Sequence, residues 1–325
     1  MKKIFCKFLV TSLLIVSFLF STQRTSSAES IILGDTGQGP YYIAIDLDGN
    51  IFTANITSYN VTKITPGGTS TTLGSTVSST AGIATNSSGY IYTPVPTLEK
   101  FVGFAPGGGS FQCGTLGESP QGIAIDSAKN MYNTNWDGVN GTVTKTTFGC
   151  VSTTLGTTDS GPTAITVDST GNVYTVNSLS DNVTKITPSG TPTNIEITGT
   201  GIADITVGSD DNVYTLNRSS NNVTKITPDG TATTLGTIES GSSGIAVDSV
   251  GNVYTVSAST RRVTKITPGG TSTTLGSTGS GPQDLVLDSS GNIYVVNGIS
   301  DNVTKITPST DATVTSTIGT VGADS

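Results

Sequence analysis

One unit of about 40 residues recurs seven times along this chain, and no other feature restricts the fold as strongly. Its anchor is a turn followed by an aromatic residue. The motif reads DLDGNIF ending at Phe52, NSSGYIY at Tyr92, DSAKNMY at Tyr132, DSTGNVY at Tyr174, SDDNVY at Tyr214, DSVGNVY at Tyr254 and DSSGNIY at Tyr294. Successive aromatics lie 40, 40, 42, 40, 40 and 40 residues apart, so one supersecondary unit is used over and over.

The sixth unit shows the internal plan most clearly. Four short runs rich in Val, Ile, Thr and Tyr separate at turn signals: Gly244 to Val247, Asn252 to Val256, Val263 to Thr267 and Ser272 to Leu275. Asp-x-x-Gly-Asn links the first two, because Asp bonds its own backbone and Gly supplies a positive φ. Pro-Gly-Gly or Pro-x-Gly links the last two, as at Pro66-Gly67-Gly68 and Pro228-Asp229-Gly230. No stretch of useful length has helical periodicity.

The middle runs are apolar at consecutive positions, as in Val173-Tyr174-Thr175-Val176, so both faces of each sheet are covered. Radially packed four-stranded antiparallel sheets meet that demand. The expected fold is all-β, a seven-bladed β-propeller of four-stranded antiparallel blades. A β-solenoid is the alternative, but its rungs are shorter and its strands parallel. Ser30 to Gly34 is similar to the fourth run of a unit and could close the ring; Ala312 to Gly319 could serve equally well.

The ends and the charge narrow the setting. Lys2, Lys3 and Lys7 precede an apolar run from Phe8 to Phe20, and Ser26, Ser27 and Ala28 follow. This is the order of a secretory signal peptide over residues 1–28, leaving 29–325 as a single propeller domain and a secreted, cell-surface or periplasmic protein. The apolar run is short for a membrane span. Cleavage leaves 11 basic against 23 acidic groups, so nucleic acid and anionic membrane are excluded as partners. A monomer is expected.

Histidine is absent from the chain, which removes Ser-His-Asp catalysis and the usual zinc and copper sites. No cofactor is expected. Cys113 and Cys150 stand in matching Phe-x-Cys contexts of adjacent units, and in an exported protein two such thiols pair as a disulfide. The other reading is two small buried hydrophobes.

The segment GIAVDSVGNVYTV followed by RRVTKITPGGT resembles the NHL repeat, and V-T-K-I-T-P-x-G-T is similar to the repeats of virginiamycin B lyase-type propellers. The resemblance covers residues 38–320 and implies a seven-bladed ring. The lyase chemistry it implies depends on a histidine that this chain lacks, and the same holds for the metal-dependent lyase activity of some NHL enzymes. Where the NHL unit carries Asp, this chain has Asn55, Asn135, Asn177, Asn217 and Asn297, with Val95 and Ser257 in the other two units.

Several repeated residues have bland explanations. The Asn series is expected to bond the backbone of the following turn. Lys63, Lys145, Lys185, Lys225, Lys265 and Lys305 are expected to lay their stems on apolar neighbours. Asp46-Leu47-Asp48-Gly49-Asn50 opens like a calcium loop, but position 12 is Thr57, so a hairpin is expected.

The second and third units break the pattern. Tyr90, Phe101, Asn135, the single tryptophan Trp136 and Asp137 fall there, the last three at a two-residue insertion. Repeat proteins bind through such departures, so these five residues form the expected contact surface for a protein or carbohydrate partner. The favoured function is a non-enzymatic binding or scaffold module. The alternative is a metal-dependent lactonase or lyase using carboxylate and Asn ligands in the central channel. A structural surface-layer component is a third class.

Overall fold

Seven separate four-stranded antiparallel sheets make up the protein, in a computed structural model that describes residues 28–308. The segment expected to be a signal peptide lies, apart from Ala28, outside the described residues, and so does Ala312 to Gly319. Among the described residues no helix is long and apolar enough to cross a membrane.

Each blade is a meander whose first strand is innermost. In blade four these strands are Pro162–Val167, Val173–Asn177, Asn182–Ile186 and Pro192–Glu196. Each inner strand packs against the next around the ring, and Pro40–Ile45 of blade one packs against Pro282–Leu287 of blade seven. The ring is a closed seven-bladed β-propeller.

Closure is made by the N-terminal segment. Glu29–Asp35 pairs antiparallel with Asn302–Thr307 as the outermost strand of blade seven, with Glu29 opposite Thr307 and Asp35 opposite Asn302. Seventh-blade hydrogen bonds therefore join the two ends of the described chain, so no free ring end remains to unzip.

The second strand of a blade is covered on both faces. Val173–Asn177, Val213–Asn217 and Ile293–Asn297 are buried at all five positions. The core is a series of clusters between blades, such as Tyr214, Leu216, Val223 and Ile245 between blades five and six.

The repeated turn motif is explained by one set of bonds. In blade four, Asp168 Oδ1 accepts from the backbone N–H of Thr170 and Asn172, and Oδ2 accepts from the Asn172 amide. Gly171 takes φ +84°, which favours glycine. The Tyr174 hydroxyl then donates to Asp168 Oδ2 at 3.2 Å, and the Lys185 ammonium lies 5.5 Å above the tyrosine ring. Blades six and seven repeat the Asp–Tyr bond at 3.1 and 3.0 Å. The Lys series is thus a set of cation–π contacts. Asp46 closes its own hairpin in the same way, with both carboxylate oxygens engaged by Asp48 and Asn50.

The Asn series differs from its expected role. Asn55, Asn177 and Asn217 are fully buried, and each donates to side chains across the blade, not to the following turn. Asn177 Nδ2 bonds Asn182 Oδ1 and Thr184 Oγ1, both at 2.8 Å. The amide sits between strands, so its partners are hydroxyls and amides of the third strand.

Candidate functional site: the central cavity

The inner strands leave a cavity of about 660 Å³ on the ring axis. It reaches residues at the start of the inner strands (Thr163, Gln283) and just after the second strands (Ser178, Arg218, Ser219), so it opens on the rim bearing those loops. Sites of this size hold small molecules.

A β-bulge or register irregularity near the start of the inner strand in six blades re-aims the chain there, as between Pro282 and Asp284. The position next to it, immediately before the buried Ile or Leu, faces the cavity. Read around the ring the cavity-facing residues are Tyr42, Gly82, Gly122, Ala164, Asp204 and Asp284, while Gly244 at the equivalent place in blade six is buried beneath Asp284. The repeat is strict at its turns and free at this position.

Asp204 and Asp284 are held alike. Asp204 Oδ1 accepts from the N–H of Ile205 at 2.8 Å and Oδ2 from Ile245 of the next blade at 3.2 Å. Asp284 Oδ1 accepts from Leu285 at 2.7 Å and Oδ2 from Ile43 of blade one at 3.4 Å. Burial pushes Asp204 up to about 6, opposed by its two N–H donors and the charge of Arg218. Burial and then the Asp204 charge push Asp284 up to about 8. These are values for an interacting pair that shares protons near neutrality. Tyr42 is raised above the ordinary phenol value by burial first, then by Tyr41, Asp284 and Asp204.

Arg218 stands at the mouth of the cavity. Its Nε donates to the Ser242 carbonyl at 2.8 Å and its Nη2 to the Ser243 carbonyl at 3.5 Å.

The five residues singled out from the irregular units do not come together. Phe101 is fully buried in a cluster with Tyr92 and Met131 and cannot meet a partner. Asn135 is also buried, accepting from Gly117 N–H and donating to Thr142 and Thr144. Tyr90 begins a second strand, whereas Trp136 ends one, so the two lie on opposite rims. Tyr90 packs edge-on against Phe111 and Phe148 at 6.0 and 5.5 Å. Trp136 is half-buried and Asp137 exposed, with the Asp137 carboxyl held below its ordinary value by the N–H groups of Asn140 and Val139. Cys113 and Cys150 are disulfide-bonded, linking blades two and three.

The carboxylate-plus-Asn ligand set expected in the channel does not assemble, because the Asn side chains are locked inside the blades. Among the described residues no group of three or more His, Cys, Asp or Glu side chains is placed to hold a metal ion.

A model of the virginiamycin B lyase family matches residues 110–321. The chain belongs to that family. This family membership agrees with the seven-bladed ring. A streptogramin B lyase structure superposes with TM-score 0.76 at 15% identity, covering 87% of this chain and 98% of the other. A catalytically inactive histidine-to-alanine variant of virginiamycin B lyase from Staphylococcus aureus, solved with quinupristin, gives 0.75 at 18%, covering 86% and 98%. A gluconolactonase from Xanthomonas campestris gives 0.57 at 11%, covering 86% and 89%. At such identities the likeness to these structures is one of fold. No curated protein matches this member of the family in sequence.

Sequence reading missed Asp204, Asp284, Tyr42 and Arg218. The signal was present: the column preceding the inner-strand Ile or Leu varies from glycine and alanine to tyrosine and aspartate. Attention to turns and to the second and third strands passes over it.

Proposed function

We propose that this protein is an exported, non-enzymatic binding propeller whose small-molecule ligand occupies the central cavity. The observation that carries the reading is the cavity of about 660 Å³, into which two acidic positions, a phenol and a guanidinium converge. A flat partner surface around Trp136 has weaker support, since Asn135 and Phe101 are buried and Tyr90 is on the far rim. Export rests on the Lys2, Lys3 and Lys7 cluster followed by the apolar run to Phe20. Mass spectrometry of the protein from culture supernatant is expected to show Glu29 as the first residue. The binding reading is tested by thermal-shift screening of a metabolite and oligosaccharide panel against wild type and Ala164→Phe, which fills the cavity. Hits should stabilise the wild type and not the variant; hits that stabilise both equally place binding elsewhere and defeat the proposal.

An enzymatic reading is favoured by one observation: the two carboxyls are displaced to different values, about 6 and about 8, as in an acid–base pair. Against it stands the absence of histidine, since the relative solved with quinupristin is inactive once a histidine is replaced. Incubation with quinupristin and with simple lactones, followed by mass spectrometry, decides. Turnover that disappears in Asp284→Asn would establish the enzyme.

A further inference from the structure

The cavity has two unlike walls. Along one arc stand Asp204, Asp284 and Tyr42, from blades five, seven and one, with Gly244 of blade six behind Asp284. Along the other stand Gly82, Gly122 and Ala164, from blades two, three and four, each followed by an isoleucine. One wall is therefore acidic and the other uncharged, with small residues and isoleucines below and Gln121, Thr163 and Ser178 toward the rim.

Gly244 is what lets the acidic wall form. A Cβ on it would lie 2.8 Å from Asp284 Oδ1 and 2.8 Å from Asp284 Cα. The Asp284 carboxylate thus leans over blade six. Asp204 reaches the same blade from the other side, through Ile245 N–H. Each carboxylate accepts two backbone N–H groups, half of what a carboxylate can accept. The nearest guanidinium, Arg218, places two of its five N–H donors on the carbonyls of Ser242 and Ser243, and its charge acts on Asp204 without a hydrogen bond to it. The Tyr42 hydroxyl makes no hydrogen bond to protein among the described residues, unlike Tyr174, Tyr254 and Tyr294, which donate to turn aspartates.

Resting on the binding reading, we propose that the cavity takes an amphipathic organic cation. Its ammonium group is held between Asp204 and Asp284, and its hydrocarbon body lies against Gly82, Gly122 and Ala164. The fixed N–H donors orient both carboxylates and leave lone pairs for a donor from the cavity. A cationic head answers that wall, whereas an anion meets repulsion from both aspartates. Gly82, Gly122, Ala164 and the isoleucines after them offer no side-chain hydrogen bond, so the part of a ligand lying against them is best a hydrocarbon. The room for a body of several carbons is that of the cavity itself, about 660 Å³, because the Cβ directions of Gly82 and Gly122 are taken up by the neighbouring blades.

The same geometry makes binding release a proton. The pair holds protons up to about pH 8 because its charges are buried together. An entering ammonium replaces them, so affinity tightens as pH rises from about 6 to about 8. The other titratable and charged groups facing the pair are Tyr41, Tyr42 and Arg218. Burial moves the Tyr42 phenol further away from that range, so the pH dependence is assigned to the aspartates.

Isothermal titration of the full folded chain with hexylamine, 1-hexanol and hexanoate at pH 6, 7 and 8.5 tests this. Hexylamine is expected to bind at least tenfold more tightly than either isostere at pH 8.5, to weaken at least tenfold at pH 6, and to release protons in buffers of different ionisation enthalpy. Asp284→Asn should lose at least tenfold of hexylamine affinity and leave hexanol unchanged. Should that variant not fold, the isostere ranking and the proton release in wild type still decide. Hexanol or hexanoate binding as well as hexylamine overturns the cation inference and leaves the cavity reading standing. Displacement of hexylamine by millimolar Ca²⁺ or Mg²⁺ makes this a metal site and also overturns it. No binding by any of the three probes overturns the cation inference, and if the panel screen is also empty the cavity reading falls with it.

Discussion

The hydroxyl of Thr175 donates to Oδ1 of Asn177, two residues further along the same strand, at 3.3 Å. Blades one and five repeat the pair as Thr53–Asn55 and Thr215–Asn217, both at 3.0 Å. The Asn amide then reaches the third strand, so a buried Thr-x-Asn unit joins two strands with all its polar atoms used. Blades six and seven each hold half of it. Blade six keeps Thr255 but has Ser257, and the Thr255 hydroxyl has no partner. Blade seven keeps Asn297 but has Val295, and Asn297 Oδ1 has no partner. A buried unpaired polar atom costs about 1–3 kcal/mol.

Val295→Thr should therefore stabilise the protein. The substitution is nearly isosteric and sets a hydroxyl where blades one, four and five already have one donating to Asn. A gain of about 0.5–1.5 kcal/mol is expected in urea unfolding. Val296→Thr, at a buried neighbour facing the opposite side of the strand, should lose about 1–3 kcal/mol. Equal losses for both substitutions would refute the explanation of the orphaned Asn297 oxygen.

The link between Asp284 and Asp204 predicts how stability depends on pH. Both folded values, about 8 and about 6, lie above the ordinary carboxylate value of 3.8. The folded protein then holds protons that the unfolded chain has released. The stability from this source is complete below about pH 4 and is lost as pH rises through about 6 and about 8. The slope is at most about 1.4 kcal/mol per pH unit for each proton, less where cavity water screens the charge. The turn residues Asp168, Asp248 and Asp288 act oppositely. Their carboxyls are lowered by their amide and hydroxyl donors, with burial opposing, so their contribution is lost in acid. Thermal midpoints should fall from about pH 4 to about 8 and level off above, and Asp284→Asn should flatten that fall. An unchanged slope in Asp284→Asn would remove the aspartate pair as its cause.

How much of this could be seen in the residues alone depends on whether the repeat carries it. Tyr174, Gly171 and Asp168 recur in register, so their turn, and with it the strand order and the blade number, follow from local chemistry. Ring closure by Ser30 to Gly34 could be framed but not decided, because both ends carry a similar strand and pairing across the ring is not local. The cavity was the least visible part. Asp204 and Asp284 are 80 positions apart, and only the closed ring brings them to a common axis with a single blade between them. Phe101 misled for the converse reason: departure from the repeat also arises where a core is repacked, as it is beside Cys113 and Met131.

The disulfide should matter most to blade two. That blade has the shortest inner strand, Ala84–Thr85, and a four-residue outer strand, Ser110–Cys113. It therefore has the least backbone pairing of its own. Cys113–Cys150 spans 37 residues, a loop whose closure restricts the unfolded chain by about 4 kcal/mol at most. Reduction, or Cys113→Ser with Cys150→Ser, should lower the urea midpoint and speed hydrogen exchange across residues 84–113 ahead of other blades. Uniform exchange around the reduced ring would show that blade two is not the weak point. Two free thiols in the unfolded, unreduced protein would show that the bridge does not form.

Gly244, packed beneath Asp284, is predicted to resist replacement. In Gly244→Ala the new methyl meets Asp284 Oδ1 and Asp284 Cα, each at 2.8 Å. The oxygen belongs to a side chain that could turn, but the Cα is backbone and can move only if blades six and seven separate. A loss of about 1–3 kcal/mol is expected, as for other overpacked sites. Gly269→Ala is the control: its nearest neighbour would be Thr267 Oγ1 at 3.9 Å, and it should be nearly neutral. The double variant Gly244→Ala with Asp284→Ala removes the carboxylate oxygen but leaves the backbone of strand Pro282–Leu287 pressed against the new methyl, so it should recover only part of the loss. Full recovery would mean that the carboxylate alone demands glycine there, and that the close approach of the two inner strands does not.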